Sequence, residues 1–162
     1  LWSIYGLEKD QDRPQATFQS FTFNALVPVP EDILEQGYSD AGYKWQVHHW
    51  GTKWDACHVD IQEDMNDEVT IYFETAWSPP LKWLAKVCEM DITKQDVHLR
   101  LAYAEEGGCM FAGIITIENG TCIEDRYFEG LDGWREISEK EFDMDLSYLD
   151  EEEEEERVQI SV

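Results

Sequence analysis

The sequence predicts an α+β domain in which an antiparallel sheet carries helices on one face, followed by an acidic C-terminal segment. Three observations predict it. Apolar and polar residues alternate with period two around 57–62, 69–74, 97–103, 110–118 and 121–128. A stripe at three- and four-residue spacing, Leu81, Leu84, Ala85 and Cys88, separates the second and third of these as a helix. The charge is one-sided, with 36 Asp and Glu against 12 Lys and Arg for a net −24. A length of 162 residues suits one domain of ordinary size, here 1–135, with the acidic segment at 136–162.

The elements follow in order. Leu1, Trp2, Ile4 and Tyr5 open the chain before a polar stretch to Gln15. Pro28 and Pro30 make 26–30 extended, because proline supplies no N–H and disfavours helix before it. Residues 31–36 then form a short helix, with Pro30 at its start and Gly37 just past its end. Residues 38–43 look like loop. Val59 and Ile61 alternate with His58, Asp60 and Gln62, residues 65–68 turn the chain, and Val69, Ile71 and Phe73 return antiparallel. Ser78 is a suitable N-cap for the helix that follows, since Pro79 and Pro80 are tolerated in a first turn. Residues 105–108 and Asn119-Gly120 mark two hairpins, the second a strong type I′ signal.

Composition narrows the function. So few bases for so many acids exclude ordinary nucleic-acid binding, which needs cations to displace counterions from phosphate. The same balance opposes docking on anionic membranes, and no apolar run approaches the ~18 residues of a transmembrane helix. Seven each of Trp, Tyr and Phe are far more than an acidic disordered chain carries. Cys57, Cys88, Cys109 and Cys122 lack the spacing of a zinc motif and the density of a secreted scaffold, so they are expected as reduced thiols. No signal peptide is recognised, and the expected location is the host bacterial cytoplasm.

Several motifs occur in one order: Phe23-Asn24-Ala25-Leu26-Val27-Pro28-Val29-Pro30, Trp50-Gly51-Thr52-Lys53-Trp54-Asp55-Ala56 and Phe73-Glu74-Thr75-Ala76-Trp77-Ser78-Pro79-Pro80. With Tyr103-Ala104-Glu105 and Phe111-Ala112-Gly113, they resemble the YubB ferredoxin-like domain family of phage and plasmid proteins. The resemblance covers roughly 18–130 and implies a ferredoxin-like antiparallel sheet and a mobile-element origin. It implies no catalytic residues.

Candidate chemistry is sparse. Trp and Lys side by side at 50–54 suit stacking and cation–π contacts. The favoured expectation is structural, with Trp50 and Trp54 covering the sheet and Trp77 joining them, because large aromatics usually fill cores at element boundaries. His48, His49, Cys57 and His58 form the only metal-like group. Adjacent residues of an extended chain point apart, so no metal site and no cofactor are expected. No nucleophile elbow, phosphate loop or His-Glu-x-x-His pair occurs, so the chain is expected not to be an enzyme.

The acidic run is the strongest signal. Residues 136–156 hold twelve acids and one base, yet the rest of the chain still carries −13. As a helix, consecutive carboxylates would be spaced about 1.5 Å along the axis, against about one phosphate per 1.7 Å of duplex DNA. Against this, like charges four apart oppose helix by ~0.2–0.5 kcal/mol per pair, which favours a solvated tail. The acidic body and the apolar alternation at Val158, Ile160 and Val162 weigh the other way. The expected function is a non-enzymatic, nucleic-acid-mimicking inhibitor that blocks a host defence nuclease, a restriction enzyme or CRISPR effector. Its partner would be a basic nucleic-acid-binding protein, with no direct contact to nucleic acid or membrane. The partner-binding residues would be Asp143, Asp145, Asp150, Glu151, Glu152, Glu153, Glu154, Glu155 and Glu156, with Asp60, Glu63 and Glu74 adding to the patch. The alternatives are an interaction module that recruits a basic host factor and a carboxylate-rich metal-dependent enzyme.

Overall fold

A computed structural model describes residues 21–63, 69–94, 96–106 and 109–149 of the protein. Helices α1 (Glu31–Gln36) and α2 (Tyr43–His49) precede strands β1 (Cys57–Glu63) and β2 (Val69–Glu74), helix α3 (Leu81–Glu89) precedes strands β3 (His98–Ala104), β4 (Phe111–Glu118) and β5 (Thr121–Glu129), and helix α4 (Leu131–Phe142) follows. The α+β class and the antiparallel, helix-covered sheet expected from the sequence are present. The strands pair as a β1–β2 ladder and a β3–β4–β5 ladder. The described residues within 1–101 and 116–123 form one compact unit, and those within 102–115 and 124–162 a second.

The first unit has an aromatic core. Phe21, Phe23, Trp50 and Trp83 are buried, and the Phe23 ring meets Trp50, Phe73 and Trp83 at centroid separations of 5.0–5.9 Å. Such edge-on and tilted contacts suit the ring quadrupoles. Helix α1 has the expected bounds, and Gly37 beyond it takes a φ of 84°. The stretch expected as loop is instead helical, a π-turn at Tyr38–Gly42 leading into α2. Its serine, aspartate and glycine give it a loop composition. The turns are held by packing: Trp45 stacks on His49 at 4.2 Å and meets Trp50 edge-on.

Helix α3 departs from expectation twice. Its buried face is Trp83, Leu84 and Val87, with Leu81 and Ala85 exposed, because the large Trp83 ring turns the stripe toward Phe21 and Phe23. Ser78 is not its cap. Its hydroxyl donates to the Gly51 carbonyl, and the Trp50 carbonyl accepts the Trp83 N–H at 3.1 Å. A remote backbone acceptor thus satisfies a first-turn donor that a local hydroxyl was expected to take.

The second unit packs α4 on the strands. Ala112, Ile114, Trp134, Ile137 and Leu146 are buried together, with Ala102, Ala104, Met110, Phe128 and Phe142 around them. Trp134 and Ile137 lie three apart on one face, and the pairs Arg135–Glu139 and Glu136–Lys140 lie at i,i+4 on the surface. At the β3–β4 hairpin the Glu105 carboxylate accepts the N–H groups of Cys109 and Met110, at 2.8 and 3.1 Å. At the β4–β5 hairpin Asn119 and Gly120 both have positive φ, 51° and 76°, as the expected type I′ turn requires.

Candidate functional site

Three motifs distant in sequence converge in the first unit. Asp55 accepts the N–H of Phe23 at 2.6 Å, the Thr22 hydroxyl at 2.6 Å and the N–H of Ala56 at 2.7 Å. Asn24 Oδ1 accepts the Val29 N–H, which braces the segment between the prolines and the turn before it. Trp50 Nε1 donates to the Val27 carbonyl and Thr52 Oγ1 to the Ala76 carbonyl, both within the core. Each bond joins one motif to another or braces a motif internally, so most of the motif residues are structural.

Two are not. Trp54 is 43% exposed and Trp77 is 74% exposed, against 1% for Trp50. The expectation that Trp54 and Trp77 join Trp50 over the sheet is corrected here. The backbone of Trp77 takes a left-handed φ of 69°, a conformation unusual for a bulky residue, which directs the ring outward. The Lys53 ammonium lies 4.1 Å from the Trp77 ring centroid and 4.9 Å from that of Trp54. Tyr38, also exposed, donates its hydroxyl to the Lys53 carbonyl. The result is a surface cluster of two tryptophan rings around one cation, with Tyr38 bonded to the backbone of the same lysine, the composition of a protein-docking hot spot.

Acidic charge is densest in the second unit. Its 38 described residues hold eleven acids and three bases, against twelve and six in the 83 of the first unit. Each of the three bases meets a carboxylate: Arg126 with Glu124 at 2.7 Å, Arg135 with Glu139 at 2.9 Å and Lys140 with Glu136 at 2.7 Å. The Lys140 ammonium holds the Glu136 carboxyl below the usual carboxylate range. Asp125, Glu129, Asp132, Asp143 and Asp145 stand exposed.

Asp143 and Asp145 also shape the chain. Asp143 caps α4 in the left-handed conformation, φ 52° and ψ 36°, and the Met144 N–H then reaches back to the Ser138 carbonyl. Asp145 accepts the Ser147 N–H at 3.1 Å, and hydrogen bonding from Ser147 lowers its carboxyl. Leu146, directly after Asp145 and 2% exposed, anchors the acidic segment in the core. Asp150 and Glu151 to Glu156, expected as partner-binding residues, lie outside the described residues, as do Val158, Ile160 and Val162. Asp60 and Glu74 are exposed on β1 and β2, and the side chain of Glu63 is not among those described.

One further group of side chains converges. Cys57 Sγ, a His58 ring nitrogen and a Glu74 carboxylate oxygen lie within 4.8 Å of one another. His48 and His49 are not part of it. They end α2, where His49 Nδ1 faces the Trp45 carbonyl. The expectation that Cys57 and His58 point apart assumed regular alternation, and β1 is irregular there. Cys57 pairs with Glu74 and Asp60 with Tyr72, so two residues of β1 oppose one of β2.

A family model described as a ferredoxin-like domain in Api92-like protein matches residues 49–160. The chain belongs to that family. The match spans most of the Api92-like chain, including both ladders, α3 and α4. It establishes the ferredoxin-like domain that the motifs implied. No curated protein and no solved structure matches the chain. Among its described residues, no helix is long and apolar enough to cross a membrane.

Proposed function

We propose that this Api92-like protein is a non-enzymatic acidic inhibitor that occupies the nucleic-acid channel of a basic partner. The mobile-element origin implied by the YubB resemblance makes a host defence nuclease, a restriction enzyme or CRISPR effector, the partner of choice. One observation carries the proposal: every base of the second unit's described residues is met by a carboxylate, while the excess acids stay at the surface. A surface whose described cations are each met by a carboxylate repels nucleic acid and attracts channels built to hold phosphate, and steering speeds that encounter. The glutamates at 151–156 extend the same charge along the sequence.

The test is affinity capture on the tagged protein from bacterial lysate, washed at low and then high salt, with duplex DNA as competitor. The expected result is a nucleic-acid-binding protein released by salt and displaced by the duplex. Converting 151–156 to Gln should weaken capture sharply. A partner that keeps its DNA while bound would overturn the inhibitor and favour a second reading, recruitment of a basic host factor. The Lys53–Trp54–Trp77 cluster supports that second reading, since exposed tryptophans around a cation suit a specific protein contact.

A further inference from the structure

The sequence pattern places Cys57 and His58 on opposite faces of a strand, and the structure does not. The extra residue in β1 between Cys57 and Asp60 breaks the alternation. His58 itself has a φ of 49°, left-handed for a residue that is neither glycine nor asparagine. The bulge therefore brings the imidazole back beside the thiol, and Glu74 stands directly across the ladder from Cys57. His58 Nδ1 lies 2.6 Å from Glu74 Oε2, and Cys57 Sγ lies 3.5 Å from the Glu74 carbonyl oxygen. His58 and Glu74 are exposed and Cys57 half-buried, so an ion from solvent can reach all three. Bulges that re-aim side chains recur beside functional sites.

We propose that Cys57, His58 and Glu74 form a binding site for a thiophilic divalent cation of the zinc type, with a fourth position open to water. Sulfur, nitrogen and oxygen donors are the zinc set. Bond lengths of about 2.3, 2.0 and 2.1 Å require donors some 3.3–3.7 Å apart in a tetrahedral arrangement. The three donors already lie within 4.8 Å, so closing on an ion takes small side-chain movements on a fixed ladder. The cation takes the place of the proton between His58 and Glu74, and that pair opens from 2.6 Å to the ligand–ligand spacing. The Cys57 thiol loses its proton on binding, so zinc uptake releases protons and strengthens as pH rises. A thiolate among the ligands separates this site from the many surface carboxylates, which favour Mg2+ and Ca2+.

The experiment is a Co2+ titration of the full chain, reduced and freed of metal, in excess Mg2+ that fills the carboxylates. One equivalent should produce the near-ultraviolet thiolate-to-cobalt charge-transfer band, and Zn2+ should displace it. Cys57→Ser should abolish the band, while Cys88→Ser, Cys109→Ser and Cys122→Ser leave it intact. His58→Ala and Glu74→Gln should each weaken Zn2+ competition by about tenfold or more, with unchanged circular dichroism. Absence of the band, or a band that survives Cys57→Ser, would overturn the site. His58 and Glu74 are exposed and Cys57→Ser is nearly isosteric, so circular dichroism on the same samples separates loss of the site from loss of the fold. The readout is independent of any partner, so it stands apart from the inhibitor proposal.

Discussion

The carboxylate of Asp55 accepts the backbone N–H of Phe23 at 2.6 Å, closing a loop of 32 residues. Its other oxygen accepts the Thr22 hydroxyl, and the N–H of Ala56 is also engaged. The 3-10 turn at Phe23–Ala25 is thereby fixed against the Trp-Gly-Thr-Lys-Trp-Asp motif, and Phe23 is held at the centre of the aromatic core.

Removing that carboxylate should therefore cost more than an ordinary surface change. Asp55→Ala is expected to lose about 2–3 kcal/mol, as for hydrogen bonds to a charged acceptor. Asp55→Asn, which keeps one carbonyl acceptor, should lose less. Urea unfolding followed by tryptophan fluorescence measures both. A loss for Asp55→Ala below about 0.5 kcal/mol would show that Phe23 is positioned without it.

The tryptophans of the two central motifs should behave oppositely. Trp50→Ala leaves a core cavity and an unpaired Val27 carbonyl, and should lose about 3–5 kcal/mol. Trp77→Ala removes only an exposed ring and its cation–π contact, a loss of about 0.5–1 kcal/mol. Trp77→Gly should be more stable than Trp77→Ala by about 1 kcal/mol, since glycine accepts a left-handed backbone without strain. Thermal unfolding of the three variants gives the order directly, and equal losses at 50 and 77 would contradict it.

Gly113 on β4 is required for space. A Cβ there would overlap the Tyr103 hydroxyl and lie 2.7 Å from the Arg126 carbonyl oxygen. Gly113→Ala should lose about 1–3 kcal/mol by overpacking. Adding Tyr103→Ala should not restore it, because the Arg126 carbonyl belongs to the neighbouring backbone. A double variant as stable as Tyr103→Ala alone, in a double-mutant cycle, would disprove the backbone clash.

Alkaline pH should weaken the second unit through Tyr103. Burial, then the nearby charges of Asp125 and Tyr127, raises its phenol above the usual value of about 10. The folded state then keeps a proton that the unfolded chain has released. The stabilisation is present below pH about 10 and is lost as pH rises through the higher folded value. Tyr103→Phe should flatten that fall in a pH series of unfolding curves. An identical alkaline slope in the variant would exclude Tyr103 as its source.

Legibility differed by element. Helix α1 was readable to the residue because proline and glycine punctuate it locally. The Asn119-Gly120 turn was readable for the same reason, positive φ being a demand on single residues. The buried face of α3 is not legible locally, because its stripe depends on which partner the Trp83 ring meets. The turn leading into α2 is not legible either, because stacking of Trp45 on His49 and contact with Trp50 hold a segment of loop-like composition. The Cys57–His58–Glu74 group was hidden by a bulge, which local periodicity does not announce.

By itself the sequence determined the α+β class, the hairpins, the acidic excess and the motifs whose order carries the family resemblance. These rest on period, turn chemistry and charge, which are local or additive. Tertiary structure decided which tryptophans are core and which are surface, which acceptor caps α3, and that thiol, imidazole and carboxylate meet at one end of a ladder. Those outcomes depend on contacts between residues far apart in the chain, where packing and a single extra strand residue choose among side-chain directions that the local pattern leaves equal.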